Sequence, residues 1–135
     1  MMIRNLMTGL LLLAAAFSAQ GNESPPTIDG ARTVTTDEAY RLFKSGALFL
    51  DVRRDSDWDA GRIPGAAHLN LKTTFSEASL AEEAGKDEAI VIYCNGRKCM
   101  RSSQASIMAV GWGFNNIHYY RDGFPAWKQA GYPVE

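Results

Sequence analysis

The sequence predicts an α/β fold with one parallel sheet and helices on both of its faces. Three observations carry this. Short apolar runs alternate with segments of helical spacing across residues 32–135, the pattern of strand–helix–strand units. The run at 89–93, AIVIY, is apolar throughout and rich in β-branched side chains, so it belongs in the middle of a sheet covered on both sides. Thr35, followed three residues later by Glu38, forms a capping box at the head of an apolar stripe.

Residues 21–31 are polar, with Pro25 and Pro26 adjacent, and read as a linker. The capping box opens a helix that places Ala39, Leu42 and Phe43 on one face and ends at Gly46. Residues 47–52, ALFLDV, read as a buried strand finishing at Asp51. Residues 55–60, polar around Trp58, form a helical turn. GRIPG at 61–65 is a turn and 66–71 a short strand. A brief helix is expected at 80–85, the central strand at 89–93, a loop at 94–101, and a helix from Ser102 to Val110 stopped by Gly111. A strand at 116–120 and a last short helix at 125–130, closed by Gly131, complete the order.

Residues 1–20 read as a secretory signal peptide: Arg4 near the start, an unbroken apolar run at 10–17, then small and polar residues. The run is shorter than the roughly 20 residues a membrane span needs. A buried N-terminal helix is the alternative, but no polar face accompanies the stretch. Cleavage after Ser18, Ala19 or Gly21 would leave small residues near the cut, and no cysteine there invites a lipid anchor. The expected location is therefore outside the cytoplasm, the periplasm if the source is Gram-negative. About 115 residues then remain, enough for one core. The net charge of −1, or −2 once Arg4 is removed, gives no support for binding nucleic acid or an anionic membrane.

Both cysteines, Cys94 and Cys99, lie in the loop at 94–101. In an exported chain a structural disulfide is the ordinary reading. A bridge closing so short a loop constrains the unfolded chain little, so the pair reads as chemistry. A buried strand delivers Cys94 to its carboxyl end, where ligands bind in open α/β sheets. Amides in a tight loop and at a helix N-terminus point toward any anion there. Arg97, Lys98 and Arg101 add positive charge. These features favour a thiolate, so Cys94 is expected to have a depressed pKa. A cation such as Arg101 at a helix start is unfavourable unless an anion compensates it. Gly96 lets the loop bend. Cys94 and Arg101 are the candidate catalytic residues, and Asn95, Gly96, Arg97, Lys98, Cys99, Met100 and Ser102 the candidate binding residues. Arg97 and Lys98 could equally be solvated loop charges.

Three segments, LFLDVRRDSDWDAGRIPGAAHLNL, IVIYCNGRKCMRSS and YYRDGFPAWKQAGYPVE, together resemble the rhodanese-like family from about Arg32 to the C-terminus. The resemblance implies a sulfurtransferase. A cysteine takes the outer sulfur of a donor such as thiosulfate, holds it as a persulfide and passes it to a thiol or cyanide-like acceptor. No cofactor is implied. Asp51 and Arg53 match the family's first motif and would order the site's surroundings, or form an ion pair within the domain. Typical members place the arginine five residues after the cysteine, and dual-specificity phosphatases six; here Cys94 and Arg101 are seven apart. Arg62 replaces the usual histidine of the turn motif, and Arg121-Asp122 the usual apolar approach to the last glycine. Cys99 is absent from most members, and the chain looks closest to exported ones with a second loop cysteine. Cys94 holds the family's catalytic position. Cys99 would be a resolving thiol, cycling with Cys94 between dithiol and disulfide, with an export-side reductant or sulfur-pathway protein as partner.

His68 and His118 have no partners at ligand spacing, so no metal site is expected. Trp58, Trp112 and Trp127 read as packing residues, Trp127 against the last helix. Beside the sulfurtransferase stand two other readings: a cysteine phosphatase or arsenate reductase, and a non-catalytic sulfur carrier or sensor. The first lacks an acidic general acid in the loop.

Overall fold

The computed structural model describes residues 22–135; the leader read at 1–20 lies outside them. Along the chain come β1 (Ala31–Thr33), α1 (Thr36–Lys44), β2 (Leu48–Asp51), α2 (Asp55–Ala60), β3 (Ala67–His68), α3 (Glu77–Glu83), β4 (Ile90–Tyr93), α4 (Arg101–Gly111), β5 (Ile117–Tyr120) and α5 (Gly123–Gln129). The strands form one sheet in the order β1-β5-β4-β2-β3, and every pairing is parallel.

β4 sits at the centre because both of its faces are apolar. Side chains alternate across a strand, so Ile90 and Ile92 turn to one face, with Ala105 and Ala109 of α4 and Leu80 of α3. Val91 and Tyr93 turn to the other, with Ala39 of α1 and Trp127 of α5. All four β4 residues are fully buried. Trp127 is the centre of the second core: Tyr40, Phe43, Phe49 and Tyr120 meet its ring, and its indole N–H donates to the Pro133 carbonyl at 2.7 Å. α1 starts at the expected capping box, Thr35 and Glu38 each accepting from the other's end of the turn.

Three expectations need correction. The helix read at 80–85 begins at Glu77, because Ser76 and Ser79 cap each other's backbone N–H. The strand read at 66–71 is confined to Ala67–His68. The stretch read as a linker is docked on the domain over its described residues. Ser24 and Ile28 are buried, the Tyr119 hydroxyl donates to the Pro25 carbonyl at 2.9 Å, and β1 starts at Ala31 and pairs with β5.

Candidate active site

The chain leaves β4 at Tyr93 and reaches α4 at Arg101 through a loop that turns on Gly96, whose φ of +108° suits a residue without a Cβ. The Cys99 N–H donates to the Gly96 carbonyl at 3.0 Å, closing the turn. That turn brings Cys99 back over Cys94, and both cysteines are free thiols. Cys94 is 0 % exposed, at the edge of the core shared by Ile92 and Ala105. Cys99 is half-buried above it.

The polar neighbours of the two sulfurs differ. The Ser102 N–H, at the head of α4, donates to Cys94 Sγ at 3.4 Å. The Cys94 proton has acceptors in the Ser102 hydroxyl at 3.2 Å, the Cys99 carbonyl at 3.5 Å and the Cys99 sulfur. The Cys99 sulfur receives the Cys94 thiol and the amides of Asn95 and Arg101, and lies in the field of the Arg101 guanidinium. The Cys99 thiol is consequently pulled down to about 6, chiefly by the hydrogen bond from Cys94. Cys94 is pushed up, first by that hydrogen bond and then by burial. The expected depression at Cys94 is thus found at Cys99 instead. Burial disfavours the charged form at the deeper sulfur, so the shallower one ionises more readily.

The basic residues are placed differently from expectation. Arg97 is exposed and paired with Asp122, Nε to Oδ1 at 2.9 Å. Lys98 is exposed. The Arg101 guanidinium turns inward, donating from Nη1 to the Val52 carbonyl at 3.1 Å and to Asn70 Oδ1 at 3.0 Å. It ties the loop to the ends of β2 and β3, and its charge reaches Cys99 without a hydrogen bond to it. Met100 caps α4 with its carbonyl, which accepts from the Ser103 hydroxyl at 2.9 Å.

Asp51 and Arg53 form a buried pair, 0 % and 3 % exposed, joined at 2.7 Å. Burial opposes the Arg53 charge, but the hydrogen bonds and charge of Asp51 outweigh it and hold the guanidinium above its ordinary value. Arg53 also donates to the Gly61 carbonyl at 2.6 Å and to Asn95 Oδ1 at 3.3 Å, while Asn95 Nδ2 donates to Asp57 Oδ2 at 2.9 Å. This pair therefore anchors the first loop residue after Cys94. Asn70 and Ser24 were not singled out in the sequence. Asn70 receives Arg101, and Ser24 donates from both N–H and hydroxyl to the Arg97 carbonyl, at 2.7 and 2.9 Å. Neither belongs to a motif of the loop. His118 contacts Asn116 and His68 the Arg53 carbonyl, and no cluster of metal-binding side chains occurs among the described residues.

A parallel five-stranded sheet with two free sulfurs in the loop beyond its central strand defines the class: an α/β domain with a thiol site at a helix N-terminus. The description "Rhodanese-like domain" matches residues 35–130, and the chain belongs to that family. It is 30% identical over 104 residues to thiosulfate sulfurtransferase GlpE of Pseudomonas entomophila, covering 77% of this chain and 90% of the relative. The solved Rhodanese_3 like domain of the Anabaena Alr3790 protein shares 28% identity at a TM-score of 0.59, covering 67% of this chain and 99% of that one. A Rhodopseudomonas palustris structure, described as a possible tyrosine phosphatase, shares 27% identity at a TM-score of 0.65, covering 83% and 99%.

Proposed function

We propose that the protein is a sulfurtransferase that moves a sulfane sulfur from a small anionic donor such as thiosulfate. The sulfur passes through a persulfide on a cysteine of the 94–101 loop to a thiophilic acceptor. One observation carries the reading: two free sulfurs lie in the loop beyond β4, and the amide at the head of α4 is aimed at one of them, Ser102 N–H to Cys94 Sγ at 3.4 Å. Main-chain donors aimed at sulfur stabilise a thiolate before reaction and a persulfide after it. Arg97 and Lys98, both exposed at the loop, favour the approach of an anion. Cys94 occupies the position that the family resemblance makes the carrier, and Cys99 is the sulfur nearer to solvent. The leader read at 1–20 supports an export-side location, where a dithiol reductant would be the partner that keeps both thiols available.

The test mixes reduced protein with thiosulfate and then cyanide. Sulfite release, thiocyanate formation and a mass gain of one sulfur atom are expected, and all three are lost when both cysteines become serine. Hydrolysis of a phosphate ester in place of sulfur transfer would favour a phosphatase, the description carried by the Rhodopseudomonas palustris neighbour. A persulfide without thiocyanate would favour a carrier.

A further inference from the structure

We propose that Cys99 is the thiol that meets the sulfur donor, and that Cys94 resolves the resulting persulfide by forming a Cys94–Cys99 disulfide and releasing hydrosulfide. This rests on the sulfurtransferase reading and assigns the division of labour within the same site. The ground is geometric. Cys94 is sealed at 0 % exposure beneath the loop, whereas Cys99 is half-buried on its solvent side. The Cys94 thiol donates to the Cys99 carbonyl at 3.5 Å, so the two residues meet across the turn. The outer sulfur is thus the one open to a donor, and the inner one lies enclosed against the same residue. The hydrogen bond with Cys99 and burial raise the inner thiol, while the outer one is lowered.

The chemistry follows in balanced steps. The Cys99 thiolate attacks the outer sulfur of thiosulfate. A Cys99 S–S bond forms, the donor's S–S bond breaks, and the sulfonate leaves as sulfite with the bonding pair. Cys94 sulfur then attacks Cys99 Sγ, forming the Cys94–Cys99 bond and breaking the persulfide bond. The expelled sulfur leaves as hydrosulfide, carrying the proton that Cys94 held. The sulfane sulfur is reduced by two electrons and the two cysteines are oxidised by two. An external dithiol restores them by exchange, its own sulfurs becoming a disulfide. An S–S bond is about 2.0 Å long, so the loop must bring the two free sulfurs into covalent range; Gly96 lies between them on the turn. Acceptors able to reach the Cys99 persulfide would compete with Cys94 for its outer sulfur, so hydrosulfide release and sulfur transfer would share one intermediate.

The full chain is reduced, freed of reductant under anaerobic conditions and mixed with thiosulfate. The expected result is one sulfite and one hydrosulfide per chain, with both thiols replaced by one disulfide. In Cys94→Ser, sulfite is released without hydrosulfide, and peptide mass mapping finds the added sulfur on Cys99. In Cys99→Ser the sulfite burst is lost, with an unchanged melting curve excluding misfolding. Sulfite release by the wild type with no hydrosulfide and both cysteines unlinked would overturn the inference and leave the sulfurtransferase reading standing. So would an undiminished burst in Cys99→Ser with the sulfur mapped to Cys94. Absence of both sulfite and adduct in the wild type would overturn the sulfurtransferase reading itself, and this inference with it.

Discussion

A thiolate is stabilised by its polar surroundings, and the Cys99 thiol is lowered by the Cys94 thiol beside it and by the amides of Asn95 and Arg101. The two amides are not visible as a side-chain motif. The sequence shows Arg97, Lys98 and Arg101 near two cysteines, which points to an ionised sulfur at Cys94, whereas the depression falls at Cys99. The choice depends on burial, and on where each arginine finds a partner. Arg97 is taken by Asp122, and Arg101 by Asn70 and Val52, partners distant in sequence. One consequence is measurable. Only thiolate reacts with iodoacetamide, so the rate at Cys99 follows its ionisation. With the thiol at about 6, alkylation of Cys99 should rise with pH to half its plateau near that value. An unperturbed thiol would place the midpoint at about 8.5. Cys94 should stay unlabelled over the same range, because it is both protonated and enclosed. Peptide mapping of the label across a pH series checks both statements; a Cys99 midpoint near that of a free thiol would refute the cradle. In Cys94→Ala the hydrogen bond from residue 94 to Cys99 is lost, so the midpoint should move upward.

Strand β4, its loop and α4 act as one unit whose shape is fixed from the far end of the chain. The turn into α5 approaches so closely that Phe124 N–H donates to the Cys94 carbonyl at 2.9 Å. A Cβ on Gly123 would fall on that carbonyl oxygen and within 2.7 Å of the Gly96 nitrogen, and Gly123 has a φ of +69°. Gly123→Ala therefore combines backbone strain with displacement of the loop and should cost roughly 2–4 kcal/mol. Gly113→Ala is the control: φ is +92° but nothing lies within 4 Å of a Cβ there, so about 1 kcal/mol of strain is expected. Urea unfolding gives both values, and equal costs would show that the loop contact is immaterial. Gly123→Ala should also make Cys94 reactive to alkylation in the folded state. At this scale much of the fold was legible, and for identifiable reasons. β4 carried the strongest apolar pattern, and α1 had a complete capping box. α3 began early because its N3 cap is Ser79, where the usual pattern has a glutamate or glutamine. The three residues of β1 show no alternation that sets them apart from the polar stretch before them.

At the scale of the whole molecule, the sheet order places β1 at one edge and β3 at the other, so the site beyond β4 is built from distant parts of the chain. The 22–30 segment is one of these parts, and its polar, proline-bearing composition gave no sign of it. Its fixing points are few and specific. Ser24 donates twice to the carbonyl of Arg97 at the loop's apex, and Arg121 returns hydrogen bonds to the Ser24 hydroxyl and carbonyl. Ile28 is buried at 6 % exposure. Two independent arms thus hold the apex, Ser24 on one side and Asp122 through the Arg97 ion pair on the other. Removing residues before Ala31 deletes the first arm while leaving β1, and with it the sheet, intact. Burial of one isoleucine contributes about 1.5–3 kcal/mol before the entropy of ordering the segment is set against it. The melting temperature should therefore fall by only a few degrees. The larger effect should be local: hydrogen exchange at the loop amides should accelerate more than in β4, and Cys94 should become open to alkylation while the domain remains folded. Comparison of the full described chain with one beginning at Ala31, by exchange mass spectrometry and thiol labelling, checks this. Equal loop exchange in the two would mean that Asp122 alone holds the apex and that the docked segment only covers the surface it lies on.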